Sequence, residues 1–332
     1  MKKTIIYGMG EYYRKNIKKL PSNLDIIAYA ESNYNDTTTA TGRLFEGKRV
    51  LSLEELGQED YDYIYICTSY TAGNRIFQYL MNYNVDIRKI RFLNRIDVLE
   101  EGDEWEYEAE DDKCLISKIG NIRIRERYLT DFDIVAEVFI NNAYRINFLQ
   151  ENAVVIDIGM NIGAVSLYFA SKEWVSKVYG FEPFPDTFQQ ALDNFELNDI
   201  HIKRKLYPMN VALSDKEEDI EVAVNSENTG WRSIMSKADD KRKEKISCKD
   251  ASEEIRKIID ENGDKKVILK VDTEGSEFAI FNSIKRTDLL HKIDAIMIEY
   301  HRNPKEIIDL LSSYCFKSFV VGEKIGMIYA VK

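Results

Sequence analysis

Val154-Val155-Ile156-Asp157-Ile158-Gly159-Met160-Asn161-Ile162-Gly163 is the stretch on which the fold turns. It opens as an apolar, β-branched run, the composition of a strand covered on both faces. It breaks at two glycines spaced D-x-G-x-x-x-G, and Ala164 to Ala170 then reads as a helix. Strand, glycine turn and helix in that order form the first half of a nucleotide-binding unit. The glycines let the backbone approach a ligand, and the start of the helix offers N–H donors. The dinucleotide fingerprint G-x-G-x-x-G is not met, because Asn161 stands at its second glycine.

Downstream the same alternation continues. Strands are expected at Lys177–Glu182, Tyr207–Leu213, Asp219–Val224, Lys265–Asp272 and Ile293–Glu299. Between them come helices within Pro183–Leu197, Ala251–Glu261, Ser276–Ser283 and Pro304–Ser313. Asn262-Gly263 closes one helix and Pro304 opens another. The C-terminal residues, around Gly322-Glu323-Lys324, read as an antiparallel hairpin. Strands alternating with helices imply a parallel sheet.

Upstream, residues 1–98 read as a separate small Rossmann-like α/β domain. Its turn Gly8-x-Gly10 begins like the dinucleotide fingerprint, but Tyr13 replaces the third glycine, and Glu31 falls near the ribose-acid position. Two readings stay open: a nucleotide or sugar-nucleotide site, and a degenerate domain used for docking or dimerisation. Residues 99–112 are an acidic run read as a linker. Next come a hairpin turning at Gly120-Asn121 and a helix over Asp131–Asn141. Both are assigned to the second domain, 113–332, as a lid or substrate wall.

Composition narrows the partners. At 332 residues the chain is long enough for two ordinary domains. A net charge of -11 argues against a general nucleic-acid binder, which needs cations to displace phosphate counterions. The four cysteines are scattered without a C-x-x-C pair, so reduced thiols in a cytoplasmic protein are expected. The N-terminal residues lack a signal-peptide core. No apolar run approaches the roughly 18 residues of a membrane span. With three histidines, any metal site would have to be rich in carboxylates, and none is assigned.

In an open parallel sheet, ligands sit at the carboxyl ends of the strands. Those ends here carry Asp157-x-Gly159 with Asn161, then Glu182, then Asp272-Thr273-Glu274-Gly275, then Glu299-Tyr300-His301. Glu182, at the end of the second strand, is placed to accept hydrogen bonds from two ribose hydroxyls. No phosphate-binding G-x-x-x-x-G-K-[ST] loop is present. A nucleoside site without phosphate handling favours S-adenosylmethionine over NAD or ATP.

At this point the residues resemble a family. Residues from about 150 to 332 are similar to the FkbM-type methyltransferases, which use S-adenosyl-L-methionine. The matching blocks are Val155 to Gly163, Gly180-Phe181-Glu182-Pro183-Phe184-Pro185, Asn210 to Asp215, Leu269 to Glu277 and Ile298-Glu299-Tyr300-His301. The resemblance implies the class I methyltransferase fold, with a seven-stranded sheet ending in an antiparallel hairpin. It also implies that Asp157, Gly159, Asn161 and Gly163 line the methionine and ribose. Glu182 would then bind the ribose, and Asn210 and Ala212 border the adenine. Met160 stands where the family usually has alanine, and its bulk is expected to narrow the pocket.

The acceptor implied is a sugar or glycan hydroxyl, methylated in line. Such a poor nucleophile profits from a base. Asp272 or His301 is the expected base, Glu299 an orienter, and Lys270 a group that holds a carboxylate. The acids at 274 and 277 also read as helix-capping residues, and a divalent cation is the alternative use of the carboxylates. Trp231, flanked by Gly230, is a candidate for stacking on a sugar. A small metabolite or peptide acceptor, a non-catalytic scaffold, and an oxidoreductase run by the first domain are the competing readings. The oligomeric state is left open, homo-oligomer included.

Overall fold

In the computed structural model, all six residues of Ala153–Ile158 are buried in a strand, and every one of them except Asp157 is apolar, as a strand covered on both faces demands. The structure describes residues 1–31, 43–86, 89–93, 105–111, 114–127, 129–146, 151–223, 243–323 and 325–332. They form two compact units, Met1–Asn141 and Asn142–Lys332. No helix among the described residues is long and apolar enough to cross a membrane.

The first unit contains β1 (Lys2–Tyr7), α1 (Glu11–Asn16), β2 (Leu24–Ala30), β3 (Leu44–Phe45), β4 (Lys48–Leu51), α2 (Leu53–Leu56), β5 (Tyr63–Ile66), α3 (Tyr70–Asn82) and β6 (Ile90–Phe92). Its sheet runs β3-β4-β2-β1-β5-β6, with β1 parallel to both of its neighbours. Ser52 and Glu55 close a reciprocal capping box on α2. A second, antiparallel sheet follows: β7 (Trp105–Asp111), β8 (Cys114–Ile119) and β9 (Ile122–Glu126), turning at Gly120-Asn121, with α4 (Leu129–Phe139) after it.

This part differs from the sequence reading in two ways. Residues 105–111 are a strand and not a linker. The alternation Trp105-Glu106-Tyr107-Glu108 has strand period, which the density of acids concealed. The hairpin and α4 also belong to the first compact unit, so the division falls after Asn141 instead of at residue 112. Leu115 and Phe132 explain this, since both join the core of Ile5, Phe77 and Phe92. At the fingerprint turn, Tyr13 is fully buried, with its hydroxyl 2.9 Å from that of Tyr29. Burial pushes the Tyr13 phenol up to about 12. Glu31 is ion-paired with Arg43.

The second unit holds β10 (Ala153–Ile158), α5 (Ala164–Ala170), β11 (Val175–Phe181), α6 (Pro185–Glu196), α7 (Ile200–Lys203), β12 (Leu206–Met209), β13 (Ala212–Ser214), β14 (Glu218–Ala223) and β15 (Lys243–Asp250). It continues with α8 (Ala251–Asn262), β16 (Lys266–Val271), α9 (Glu277–Arg286), β17 (Ala295–Tyr300), α10 (Lys305–Ser313), β18 (Lys317–Gly322) and β19 (Gly326–Val331). The main sheet is ordered β12-β11-β10-β16-β17-β19-β18. All pairs up to β17 are parallel, and β19 enters antiparallel between β17 and β18. This is the class I methyltransferase arrangement that the resemblance implied. Ile156 lies between Tyr179 and Leu269, and one continuous core joins these strands to α8, α9 and α10.

The expected strand over residues 207–213 is split. β12 pairs at the edge of the main sheet, where Pro208, lacking an N–H, is tolerated. β13 instead joins a small sheet ordered β13-β15-β14. The sequence reading missed β15: only Ile246 and Cys248 of Lys243–Asp250 are buried, so its apolar signal is weak.

Candidate active site

The strand order reverses beside β10, between β11 and β16, and the turn after β10 opens into that crevice. Gly159 has φ +79, and a Cβ there would lie 1.6 Å from the Asp272 carbonyl oxygen. No side chain fits this crossing. Gly163 has φ +85, and a Cβ would lie 2.5 Å from the Phe195 ring. Gly159 and Met160 donate to the Phe181 carbonyl at 3.0 and 2.9 Å, and the helix that follows, α5, has only seven residues. The turn is thereby tied to the end of β11, where Glu182 lies.

Glu182 is buried, and its carboxylate is gripped from both sides. Oε2 accepts the Asn161 amide at 3.0 Å, and Oε1 accepts the Phe184 amide at 3.0 Å. Asn210 is exposed and donates its side-chain amide to the carbonyls of Glu182 and Pro183 at 2.9 and 3.0 Å. Ala212 is buried at the start of β13, in a cluster with Phe184. Asn161 has φ +52, and its buried Oδ1 makes no hydrogen bond among the described residues. Met160 does not stand as a free intrusion. It is buried, its sulfur 2.2 Å from where a Cβ of Gly180 would be, so the bulk is taken up by the missing side chain of β11.

A second cluster centres on Lys270, which is 1% exposed. Its Nζ donates to the Gly159 carbonyl at 2.6 Å and lies 3.1 Å from Asp157 Oδ1 and 3.5 Å from Asp272 Oδ2. Asp157 is fully buried and accepts the Ser166 hydroxyl at 2.6 Å. Tyr144 donates its hydroxyl to Asp272 at 3.3 Å. An ammonium removed from water is costly unless paired, and here two carboxylates and a carbonyl surround it.

The third cluster corrects an expectation. His301 was a candidate base, but both ring nitrogens are engaged. Nε2 is 3.0 Å from Glu274 and Nδ1 is 3.2 Å from Glu277. The bonds to Glu274 and then to Glu277 push the imidazole up to about 11, so it is an imidazolium at neutral pH. An imidazolium has no lone pair with which to take a proton. Burial raises Glu277, but the bonds from His301 and the Gly275 amide outweigh it and hold the carboxyl below its ordinary range. Asp272, Glu274 and His301 have ligand atoms within 4.8 Å of one another, but a ring protonated at both nitrogens offers a metal ion no lone pair. Glu299 is half-buried on β17, paired with Met327. Trp231 lies outside the described residues.

The expected residues therefore assemble in two groups: the Glu182 carboxylate with the Asn161 amide and with the Asn210 side chain holding the backbone carbonyls of Glu182 and Pro183; and Asp157, Gly159 and Asp272 around Lys270. Three further participants carried little signal. Tyr144 and Ser166 make their contacts only through tertiary packing. Glu277 sits in the quoted motif but reads equally well as a capping acid.

Residues 157–318 match the sequence model of the Methyltransferase FkbM domain. The chain carries an FkbM methyltransferase domain. Residues 1–91 match a second model, the C2185-like N-terminal domain. The chain is 27% identical over 176 residues to the hexuronic acid methyltransferase AglP of Haloferax volcanii, covering 49% of this chain and 63% of AglP. It is 38% identical over 66 residues to the methyltransferase sdnD of Sordaria araneosa, covering 20% of this chain and 26% of sdnD. The chain thus spans less than two thirds of either relative's length. Among solved structures, the methyltransferase FkbM from Methylobacillus flagellatus is 13% identical, with a TM-score of 0.40, covering 99% of this chain and 90% of that one.

Proposed function

We propose that the FkbM domain methylates a hydroxyl oxygen of a sugar or glycan, using S-adenosyl-L-methionine. The observation that carries this reading is Glu182, a buried carboxylate held by the Asn161 and Phe184 amides at the end of the second strand. Its position suits a pair of ribose hydroxyls. The unpartnered Oδ1 of Asn161 beside it fits the same ligand, since a buried acceptor is normally satisfied. The cofactor supplies a methyl carbon on a sulfonium, open to in-line displacement by oxygen.

The remaining work belongs to the chain. Gly159 lets β10 and the end of β16 close on each other, and this brings Asp272 to the crevice. Asp272 is half-buried and takes the proton of the acceptor hydroxyl. Lys270 and Tyr144 fix its carboxylate from behind. His301 acts as a positioning residue that ties the loop Asp272–Gly275 to the end of β17 through Glu274 and Glu277. The name of AglP, a hexuronic acid methyltransferase, supports a sugar acceptor.

The test is calorimetric titration with S-adenosylhomocysteine, run beside Glu182→Ala and with NAD as a control. Loss of bonds to a charged group costs about 1.5–3 kcal/mol, so affinity should fall roughly tenfold to a hundredfold in the variant. Absence of binding by the folded wild-type protein, or equal binding by the variant, would overturn the assignment.

A further inference from the structure

Residues of α9 and α10 line a cleft of about 860 Å³, within the size range of small-molecule sites. Phe278, Phe281 and, from α10, Ile307 are buried and give it an apolar floor. The cleft adjoins the site already described. Phe278 follows Glu277 and Arg302 follows His301, and the Glu277 carboxylate is 3.2 Å from the His301 ring. The charges in the lining are answered locally except at one place. Lys305 pairs with Asp309 at 2.6 Å. Glu306 is in the first turn of α10 and Lys285 in the last turn of α9, where the helix dipoles favour an acid and a base respectively. Arg302 belongs to neither helix. Its guanidinium carbon lies over the Phe278 ring, 3.9 Å from the centroid, and it has no ion-pair partner or hydrogen-bond acceptor among the described residues. Contact with a ring face occupies the flat of the guanidinium and leaves its in-plane fork of N–H donors open. That fork grips a carboxylate or a phosphate at two points.

We propose that this cleft holds the acceptor through an anionic group on the sugar, a carboxylate or a phosphate ester, bound by Arg302. This rests on the reading of the neighbouring site as one that methylates a sugar hydroxyl. The apolar floor takes the carbon-bound face of the sugar, and the anion stands at Arg302, next to the His301 pair that ties the loop Asp272–Gly275 to β17. The chain as a whole repels anions at a net charge of -11, so selection of an acidic sugar has to come from a local cation of this kind. A neutral sugar would leave the guanidinium fork without an acceptor, and the preference follows from that difference.

Magnetic resonance titration of the full chain, labelled with nitrogen-15 at arginine, tests this with three probes. Trigalacturonate carries carboxylates, glucose 6-phosphate carries a phosphate ester, and maltotriose is neutral. The Arg302 side-chain signal, identified by its loss in Arg302→Gln, should move with an acidic probe and stay still with maltotriose. Which acidic probe moves it distinguishes the two sources of the anion. Added salt should weaken the binding. Arg302→Gln should weaken it about tenfold, and Arg302→Lys, which keeps the charge but not the fork, should recover only part of that loss. No shift with either acidic probe, equal binding of maltotriose, or unchanged affinity in Arg302→Gln would each overturn the proposal. Affinity for S-adenosylhomocysteine should be the same in Arg302→Gln as in the wild type. Failure of the wild type to bind that ligand would instead sink the methyltransferase reading, while a shift at Arg302 would still stand, so the two failures are told apart.

Discussion

Lys270 Nζ lies 3.1 Å from Asp157 Oδ1, and both side chains are almost wholly removed from solvent. The lysine rises from β16 and the aspartate from β10, paired neighbours in the sheet whose register sets Asp157 opposite Lys270. The pair therefore holds charge at the reversal point of the sheet while the backbone fixes its geometry. Removing one member leaves the other buried and uncompensated, which typically costs about 3–5 kcal/mol. Lys270→Met should lower unfolding stability by about that amount. The double variant K270M/D157N should recover part of the loss, since the amide can still bond Ser166. Urea unfolding of the four proteins measures the coupling. Simple addition of the two single losses would show that the ion pair contributes nothing of its own.

Asp272 and His301 separate under a kinetic test. Asp272→Asn removes the proposed proton acceptor yet keeps the bond from Tyr144. Methyl transfer to the acceptor should fall by about 10²–10⁴-fold, while affinity for S-adenosylhomocysteine changes little. Equal losses of turnover and of ligand affinity would make Asp272 a binding residue instead.

His301 gives a pH signature. Its imidazole is raised well above the ordinary value of 6.5, so the folded state binds its proton more tightly than the unfolded chain does. The stabilisation is complete below pH 6.5, declines above it, and is exhausted once pH passes the folded value of about 11. Thermal melts of the wild type and His301→Gln should differ most near pH 6, and the two curves should converge as pH rises toward 11. A constant gap across that range would mean that the ring is held by packing and not by charge.

What the sequence discloses and what it hides follow from the range of each interaction. Asp157, Glu182 and Asp272 could be found because a strand followed by a turn places its last residues at the sheet's carboxyl edge whatever the packing. The parallel strands of the sheet's core could be read for the same reason, each being a local apolar run, while their number, seven, came from the family resemblance. The ion pairs of His301 were not legible because its partners, Glu274 and Glu277, lie more than 20 residues away and meet it only when β16 and β17 pair. Tyr144 is farther still from Asp272, and nothing in its local sequence marks it. β7 and β15 were hidden by their charge, since alternation with a polar face resembles a solvated linker. Met160 looked like an obstruction because its compensating residue, Gly180, is on another strand.

That compensation can be measured. Gly180 is in β11, and a Cβ there would sit 2.2 Å from the Met160 sulfur and 3.2 Å from Ser166 Oγ. Gly180→Ala therefore overfills a closed core and should cost about 1–3 kcal/mol. Met160→Ala removes a buried side chain and should cost about 2–5 kcal/mol through lost burial and the cavity left behind. The double variant M160A/G180A exchanges one large residue and one absent side chain for two methyl groups. Its loss should be smaller than the sum of the single losses by at least about 1 kcal/mol, because the alanine at one position no longer meets the thioether at the other. The sign is what matters, since contacting residues couple and distant ones add. Additive losses would mean that Met160 swings clear of β11 when pressed, toward the glycine turn. In that case S-adenosylhomocysteine affinity would fall in Gly180→Ala alone, and titrating that variant alongside the unfolding curves distinguishes the two outcomes.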